Sequence, residues 1–375
     1  YPFRRTDGTA KRVEVTLNTA GMISKIVGWC DMKSNQAYWA KRALAREKES
    51  FNRGAEIVKR LLTEYQAAAK SIQEKIAAFY VRYADKHGLT YDQAVKRLGH
   101  NEFKEWKATL GEYVTKIAQE TDPRIKKLLT AQLDGLSYNS RISRLEALQG
   151  QIDLILNELY RNSIAEIKSG FEVIFTEAYY DKIYDLQSRA GFLNEFARVN
   201  TRMIENVISY PWSGAMFSDR LWRNKQALIF NLREITTQGM IHGEGVSVMA
   251  KKMSDKMGQS FKAAERLIHT ETSYIHAEAT AQAYKEAGVK EYEFVATLNE
   301  ACCSVCGSLD GKHFKLEERR PGVNCNPIHP NCHCTTIEYD PDEEFYWKES
   351  GMEMPKRMTN PEWRQKMGLP PHKKV

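Results

Sequence analysis

The residues best suited to chemistry lie between Cys302 and Cys334, a segment that holds six of the seven cysteines of the chain. One group reads Cys302-Cys303-Ser-Val-Cys306, and the other reads His329-Pro-Asn-Cys332-His-Cys334, with Cys325 just before it. Two thiolates spaced Cys-x-x-Cys can reach one ion from a single turn, and tetrahedral zinc then needs two ligands from elsewhere. The spacing therefore predicts a metal site whose first pair of ligands is Cys303 and Cys306.

The second group offers more ligands than the site needs. Cys334 together with either Cys332 or His329 completes a four-ligand set, and the sequence leaves that choice open. A catalytic zinc keeps one position for water, so an excess of protein ligands favours a closed, structural zinc site. Disulfides are the alternative, but they usually spread cysteines across a small secreted domain rather than gathering them in tight pairs. Cys302 and Cys325 are interpreted as bystanders.

A nuclease is a second interpretation, because a histidine beside a metal can activate water. The nearby candidates are His313, His329 and His333. Two pairs spaced seven residues apart on one predicted helix face, Glu271 with Glu278 and His269 with His276, are candidates for acid–base chemistry. On a charged helix such pairs are mostly solvated or structural, and Glu271 is interpreted as orienting the zinc loop. The sequence also lacks a glycine-rich phosphate loop and a Ser-His-Asp arrangement, so we expect a protein without enzymatic activity.

DNA binding is a third interpretation, in which basic residues of the Cys/His segment contact phosphates. The candidates are Lys312, Lys315, Arg319 and Arg320. The chain has 55 basic and 48 acidic residues, a formal net charge of +7, which is mild for 375 residues. Dedicated binders usually concentrate their charge in a stripe, and none is visible here, so this signal is weak.

Flanking elements are needed to hold the two cysteine groups together. Residues 290–297 alternate in polarity as a strand does, and residues 335–339 are a plausible partner strand. Before them, residues 261–287 have the pattern of a helix that Gly288 ends, and residues 248–257 that of a separate short helix.

The body of the chain is predicted to be helical. From Phe51 to Tyr83 apolar residues recur in alternating steps of four and three, which predicts a long helix with a coiled-coil seam, ended at Gly88. That seam comprises Phe51, Ala55, Val58, Leu62, Tyr65, Ala69, Ile72, Ile76, Phe79 and Tyr83. A second seam, through Ile142, Leu145, Ile152, Ile155 and Leu159, is its expected antiparallel partner. A short helix is expected at 90–99, and another begins at Pro123.

These patterns predict a mainly α fold, with a long antiparallel helical body and a small C-terminal α+β zinc-binding module. We expect an N-terminal extension at 1–31, a helical hairpin or bundle at 32–165, a helical linker domain at 166–262, a Cys/His module at 263–340 and a tail at 341–375. No apolar run is long enough to span a membrane, and no secretory signal is evident. About 38 residues follow Ile337 in this sequence, and we expect no further domain among them.

Four pieces of the C-terminal third resemble the Mu-type minor head proteins, also called head morphogenesis proteins. They are Arg266-Leu-Ile-His-Thr-Glu271, the alanine-rich helix that ends at Ala287-Gly-Val289, Cys303-Ser-Val-Cys-Gly-Ser-Leu-Asp-Gly311 and Asn326-Pro-Ile-His-Pro-Asn-Cys-His-Cys-Thr335. Their order and spacing match that family over about residues 263–337. The chain departs from the family pattern where His269 replaces an arginine, where His333 replaces the arginine of Cys-Arg-Cys, and at Asn299-Glu300, where an acidic residue is common.

The resemblance implies a virion component inside a phage head, present in few copies, assembled in the host cytoplasm and associated with the portal protein. It implies a role in head assembly and in DNA packaging or delivery, with phage DNA as a possible partner and no membrane. The helical body is the expected contact for the portal or a scaffold.

Overall fold

The fold is that of a computed structural model, which describes residues 2–4, 10–17, 23–28, 32–87, 107–138, 144–242, 244–298, 302–339, 352–355 and 358–373. Over these residues the chain is mainly helical, with a small antiparallel sheet near its C-terminus, as the sequence predicts. The predicted helix at 90–99 lies outside the described residues, as do Cys30 and Ile142.

The described helices are α1 (Met32–His87), α2 (Lys107–Gln119), α3 (Pro123–Tyr138), α4 (Arg144–Ala190), α5 (Thr201–Ile208), α6 (Phe217–Ile241), α7 (Val246–Ala287), α8 (Ser304–Leu309) and α9 (Asn360–Lys366). The strands are β1 (Pro2–Arg4), β2 (Ala10–Leu17), β3 (Ile23–Gly28), β4 (Phe192–Leu193), β5 (Glu291–Val295), β6 (His313–Lys315), β7 (Thr335–Tyr339) and β8 (Met352–Glu353). They form three antiparallel sheets, ordered β1-β2-β3, β4-β8 and β6-β5-β7.

Helix α1 confirms the predicted long helix but corrects its buried face. Val58, Ile72 and Ile76 of the predicted seam are buried, whereas Leu62 is 39% exposed and its neighbour Leu61 is fully buried. Strict steps of seven residues drift around a helix of 3.6 residues per turn, so a straight helix turns some heptad positions towards solvent. The coiled coil inferred from those steps therefore stays a prediction.

Helix α7 corrects a second prediction, because residues 248–257 and 261–287 form one helix rather than two. Gly258 lies inside α7, where nothing within 4 Å would meet an added Cβ atom. A glycine in a helix interior lowers its stability by about 1 kcal/mol but does not by itself end it. Gly288 does follow the helix end, with the positive φ of 74° that favours glycine there.

The described chain divides into two compact units: unit 1 is 1–50, 178–197 and 276–369, and unit 2 is 51–177, 198–275 and 370–375. Helix α4 runs unbroken across residue 165 and α7 across residue 262. The five predicted domains stay a prediction. No helix among the described residues is both long and apolar enough to cross a membrane.

Unit 2 is a packing of helices. The rings of Tyr65 on α1 and Phe261 on α7 lie 5.6 Å apart, and those of Phe171 on α4 and Phe217 on α6 lie 5.4 Å apart. Helix α1 approaches α7 closely at Gly54, where an added Cβ would lie 2.6 Å from Oγ1 of Thr272. Buried apolar side chains thus hold this unit together.

Unit 1 contains the β6-β5-β7 sheet, which carries the cysteine groups. Ala43 of α1 packs with Val295 of β5 and Ile337 of β7, so the first turns of α1 cover part of the sheet. Helix α9 of the predicted tail is also part of this unit, and the Nε1 of its buried Trp363 donates to Oε1 of Gln187 at 2.7 Å.

Candidate metal centre

The first cysteine pair is shaped by a short helix. Cys303 is the N-cap of α8, and its Sγ accepts a hydrogen bond from the Cys306 backbone N–H at 3.3 Å. The next N–H, of Gly307, donates to the Cys303 carbonyl at 3.0 Å. A helix N-terminus leaves backbone donors unpaired, and here one of them is paired with a sulfur. This turn brings the two thiols of the predicted first pair close together.

The second group is shaped by a tight turn that leads into β7. The Cys332 N–H donates to the His329 carbonyl at 3.2 Å, and Asn331 between them has a φ of +58°. Asparagine is one of the few residues that adopt this left-handed conformation readily. Cys334 directly precedes Thr335, the first residue of β7, so the strand fixes the end of this group.

The central strand β5 brings the two groups together. Its residues pair with β6 on one side and with β7 on the other, which confirms the predicted strand pair and adds β6. Just beyond β5, the Ala296 N–H donates to Oδ1 of Asp310, after α8, at 2.8 Å. Thr297 donates from Oγ1 to the carbonyl of His333. Both cysteine groups are therefore tied to the end of one strand.

Five side chains meet there and form two overlapping groups. Within each group, all the ligand atoms lie within 4.8 Å of one another. One group is Cys303, Cys306 and His329, and the other is Cys306, Cys332 and Cys334. The Cys306 and Cys332 sulfurs are 4.0 Å apart, close to the ~3.8 Å that separates two sulfurs bound tetrahedrally at ~2.3 Å. These groups can hold a metal ion, and Cys306 is common to both.

The thiols influence one another's ionisation. A hydrogen bond with Cys334 lowers the pKa of Cys332 to about 5, whereas that same bond, together with burial, raises the pKa of Cys334. Burial and the nearby charge of Cys332 raise the pKa of Cys306. A first thiolate thus opposes the ionisation of its neighbours, as expected where like charges share a site. A bound cation would relieve that opposition.

The two cysteines interpreted as bystanders belong to neither group. Cys325 is fully buried, and burial raises the pKa of its thiol to about 12. Cys302 packs against the buried cluster of Phe294, Ala296 and three of the cysteines. Cys325 is therefore a matched control for experiments on the grouped thiols.

Most of the basic residues considered for DNA binding lie near this site in exposed positions. Lys312, Lys315 and Arg320 are exposed. The side chain of Arg319 is only 11% exposed, and its Nη1 lies 2.6 Å from Oε1 of Glu278. Arg319 is thus engaged in an internal ion pair. Phosphate contact by the four residues stays a prediction.

The residues considered for acid–base chemistry each have a separate structural contact. The carboxylate of Glu271 accepts hydrogen bonds from Nε1 of Trp212 at 3.0 Å and from Arg220 at 3.2 Å. Its expected role in orienting the zinc loop stays a prediction. The other three residues of the predicted pairs have contacts of their own. Glu278 accepts a hydrogen bond from Arg319, and His269 stacks on Phe51. Nδ1 of His276 lies 2.9 Å from Oγ of Ser50. His313 belongs to β6 and stacks on Tyr339.

A contact that sequence patterns did not predict joins the second cysteine group to α1. His333 Nδ1 lies 3.5 Å from Oε1 of Glu47, whose side chain is 5% exposed. Burial raises the pKa of Glu47, and the hydrogen bond to Glu47 raises the pKa of His333. Glu47 has no motif around it, and its partner is distant in sequence, so only the folded chain reveals the pair.

Part of the chain matches a known protein family. Residues 231–337 match the family described as Phage Mu protein F like protein, which confirms the predicted resemblance over a region that ends within β7. A curated relative, the NAD(+)–arginine ADP-ribosyltransferase EFV of Enterococcus faecalis, is 25% identical over 231 residues. That match covers 56% of this chain and 47% of the relative, so the chain spans about half of the relative's length. No solved structure matches the chain.

Proposed function

We propose that this chain, whose residues 231–337 carry the Phage Mu protein F like sequence, is a minor protein of a phage head. In this proposal it resides in the virion, associates with the portal and acts in head assembly and in DNA packaging or delivery. The observation that carries the proposal is that the family match contains both cysteine groups and most of the sheet that joins them. The helical body remains the proposed contact for the portal.

We further propose that the metal is zinc and that its role is structural. Thiolate and imidazole are the ligands that zinc prefers, and the five candidates supply four thiols and one imidazole. Cys303, Cys306 and Cys334 would hold the ion together with Cys332 or His329. When bound, the ion supplies a fixed crosslink between the two groups. Cys306, Cys332 and Cys334 are buried and shield their side of the site from water, whereas Cys303 and His329 are half-buried.

The proposal of a non-enzymatic protein rests on the contacts of the candidate acids and bases. Glu271 is held by Trp212 and Arg220, and His276 contacts Ser50, so these groups already have structural partners. An excess of protein ligands also favours a metal with no open position for water.

Analysis of purified phage heads tests the proposal. Quantitative mass spectrometry of heads is expected to find this chain in few copies, and gentle disruption is expected to release it with the portal protein. Replacing Cys306 with serine should reduce incorporation into heads, while Cys325→Ser should leave it unchanged. Heads that contain no copy of the chain would overturn the proposal.

Two enzymatic alternatives have direct tests. The activity for which the relative is named, ADP-ribose transfer to arginine, is the first alternative, and labelled NAD(+) with an arginine acceptor tests it. Metal-dependent DNA cleavage that His329→Ala abolishes without loss of folding would favour a nuclease. We expect neither activity. DNA binding through Lys312 and Lys315 would instead appear as retention that falls steeply with salt.

A further inference from the structure

We infer that Glu47 is a positioning residue of the candidate metal centre. Through His333 it fixes the loop that carries the second group of ligands, and it couples occupation of the site to the first turns of α1. This inference rests on the proposed metal site. It adds a residue outside the region of the family match, which begins at residue 231.

The buried carboxylate of Glu47 is the first observation. Its side chain is 5% exposed, and His333 is the ion-pair partner that the described residues give it, at 3.5 Å. A carboxylate removed from water loses its hydration and needs a compensating partner. His333 therefore contributes to holding this part of α1 in its docked position.

The position of His333 is the second observation, because it stands between two candidate ligands, Cys332 and Cys334. Its side chain faces Glu47 on α1, while its carbonyl accepts a hydrogen bond from Thr297, just after β5. The residue is thus held from both its side chain and its backbone. A shift of the His333 backbone would displace the cysteines on either side of it.

The contacts of α1 with the sheet are the third observation, because they provide a comparison. Ala43 packs on Val295 and Ile337, and Nε2 of Gln36 donates to Oε2 of Glu293 at 2.9 Å. These contacts dock α1 on β5 and β7 without touching the ligand loop. Glu293→Gln therefore perturbs the same docking surface without disturbing His333.

The first experiment measures the dissociation constant of zinc for the full chain by competition with a coloured chelator. Removing a residue that orients metal ligands typically weakens binding by about 10–100-fold, and we expect Glu47→Gln to fall in that range. Glu293→Gln is expected to leave the constant unchanged. Since Glu47 acts through His333, the double variant Glu47→Gln/His333→Gln should bind zinc no more weakly than His333→Gln alone.

The second experiment is hydrogen exchange with and without a zinc chelator. In the unaltered chain, chelation should accelerate exchange at residues 36–50 and leave residues 57–76 of the same helix unchanged. In Glu47→Gln the response at 36–50 to chelation should disappear. Circular dichroism of each variant shows whether it is folded.

The outcomes separate this inference from the metal site itself. If the unaltered chain binds zinc and Glu47→Gln binds it equally well, with the same exchange response, the inference is overturned and the metal centre stands. If the unaltered chain binds no zinc, both the proposed centre and the inference fail. If Glu293→Gln weakened zinc binding as much as Glu47→Gln does, the effect of Glu47 would be one of general packing, and the inference would also be overturned.

Discussion

The segment 302–334 and the interior of unit 2 are stabilised in different ways. In the first, the short elements α8 and β6 surround a buried cluster that includes Cys306, Cys332 and Cys334. In the second, long helices bury apolar side chains such as Ile57, Leu61, Ile152, Phe171 and Leu232. The buried cluster of the first region includes candidate ligand atoms, whereas the long helices of the second bury apolar side chains.

This difference indicates what each region requires in order to fold. Long helices bury an apolar stripe at every turn, so their packing alone can offset the entropy of ordering the chain. A segment of short loops buries too little apolar surface for that, and a bound metal can supply the missing free energy. Loss of the metal should therefore affect the segment 302–334 and spare unit 2.

The largest effect is expected for Cys306→Ser, because Cys306 belongs to both ligand groups. Removing a direct ligand should weaken zinc binding by more than the ~10–100-fold typical of surrounding residues. Atomic absorption of the purified variant should find little zinc, and hydrogen exchange should show residues 302–334 opened. Residues 57–76 of α1 should keep their protection.

Cys325→Ser is the control for that experiment, since Cys325 is a buried cysteine of the same segment that belongs to neither group. It should retain zinc and show only the modest destabilisation of a core substitution. Equal zinc loss in both variants would mean that general packing, rather than ligation, holds the segment together.

A charge buried beside the sheet of unit 1 gives the next largest effect. Glu338 of β7 lies 2.6 Å from Lys182 and 2.8 Å from Arg189, and all three side chains are largely buried. Glu338→Gln leaves two buried cations without their carboxylate, which should cost about 3–5 kcal/mol of unfolding free energy in urea.

The pH dependence of Glu338 has a defined sign. Lys182 and Arg189 outweigh burial and lower the pKa of Glu338 below its usual value of about 4.5. Its contribution to stability is therefore present above the unfolded pKa and is lost as the pH falls through the lower, folded pKa. The free energies of unfolding of the unaltered chain and of Glu338→Gln should therefore converge in strong acid. A constant difference between the two down to that pH would contradict this.

The adjacent leucines of α1 test the apolar half of the comparison. Leu61 is fully buried and Leu62 is 39% exposed. Leu61→Ala should lower the free energy of unfolding by about 2–5 kcal/mol because it opens a cavity. Leu62→Ala should change it by no more than about 0.5 kcal/mol. The zinc content should stay unchanged in both variants. Similar losses of unfolding free energy in both would mean that Leu62 is buried as the predicted coiled-coil seam requires.

The sequence predicted those helices and strands whose apolar residues recur with a regular period, and those candidate ligands that lie close together in the sequence. The strand pair β5 and β7 and the part of α1 from Phe51 to Tyr83 follow from periodicity, and the candidate ligands follow from their spacing. The buried face of α1 and the continuity of α7 at Gly258 depend on packing, which local patterns do not contain. The pairing of Glu47 with His333 depends on the fold bringing distant residues together, so no sequence motif could have revealed it.

The smallest effect concerns Glu271, a buried carboxylate of unit 2. Burial raises the pKa of Glu271 to about 7, despite hydrogen bonds from Trp212 and Arg220. A carboxyl group whose pKa is higher in the folded chain takes up its proton first there, so stability should rise as the pH falls from about 7 towards 4.5. With these values the gain between pH 7 and pH 5 is about 2 kcal/mol.

Urea unfolding at several pH values, compared between the unaltered chain and Glu271→Gln, isolates this contribution. The variant should lack the gain in that interval, because its amide does not titrate. Trp212→Phe should enlarge the gain, since it removes a hydrogen bond that lowers the pKa of Glu271 while retaining a ring that can stack on Tyr274. If the unaltered chain and Glu271→Gln gain equally on acidification, the raised pKa of Glu271 is wrong. The pH sensitivity of unit 2 would then arise from other groups.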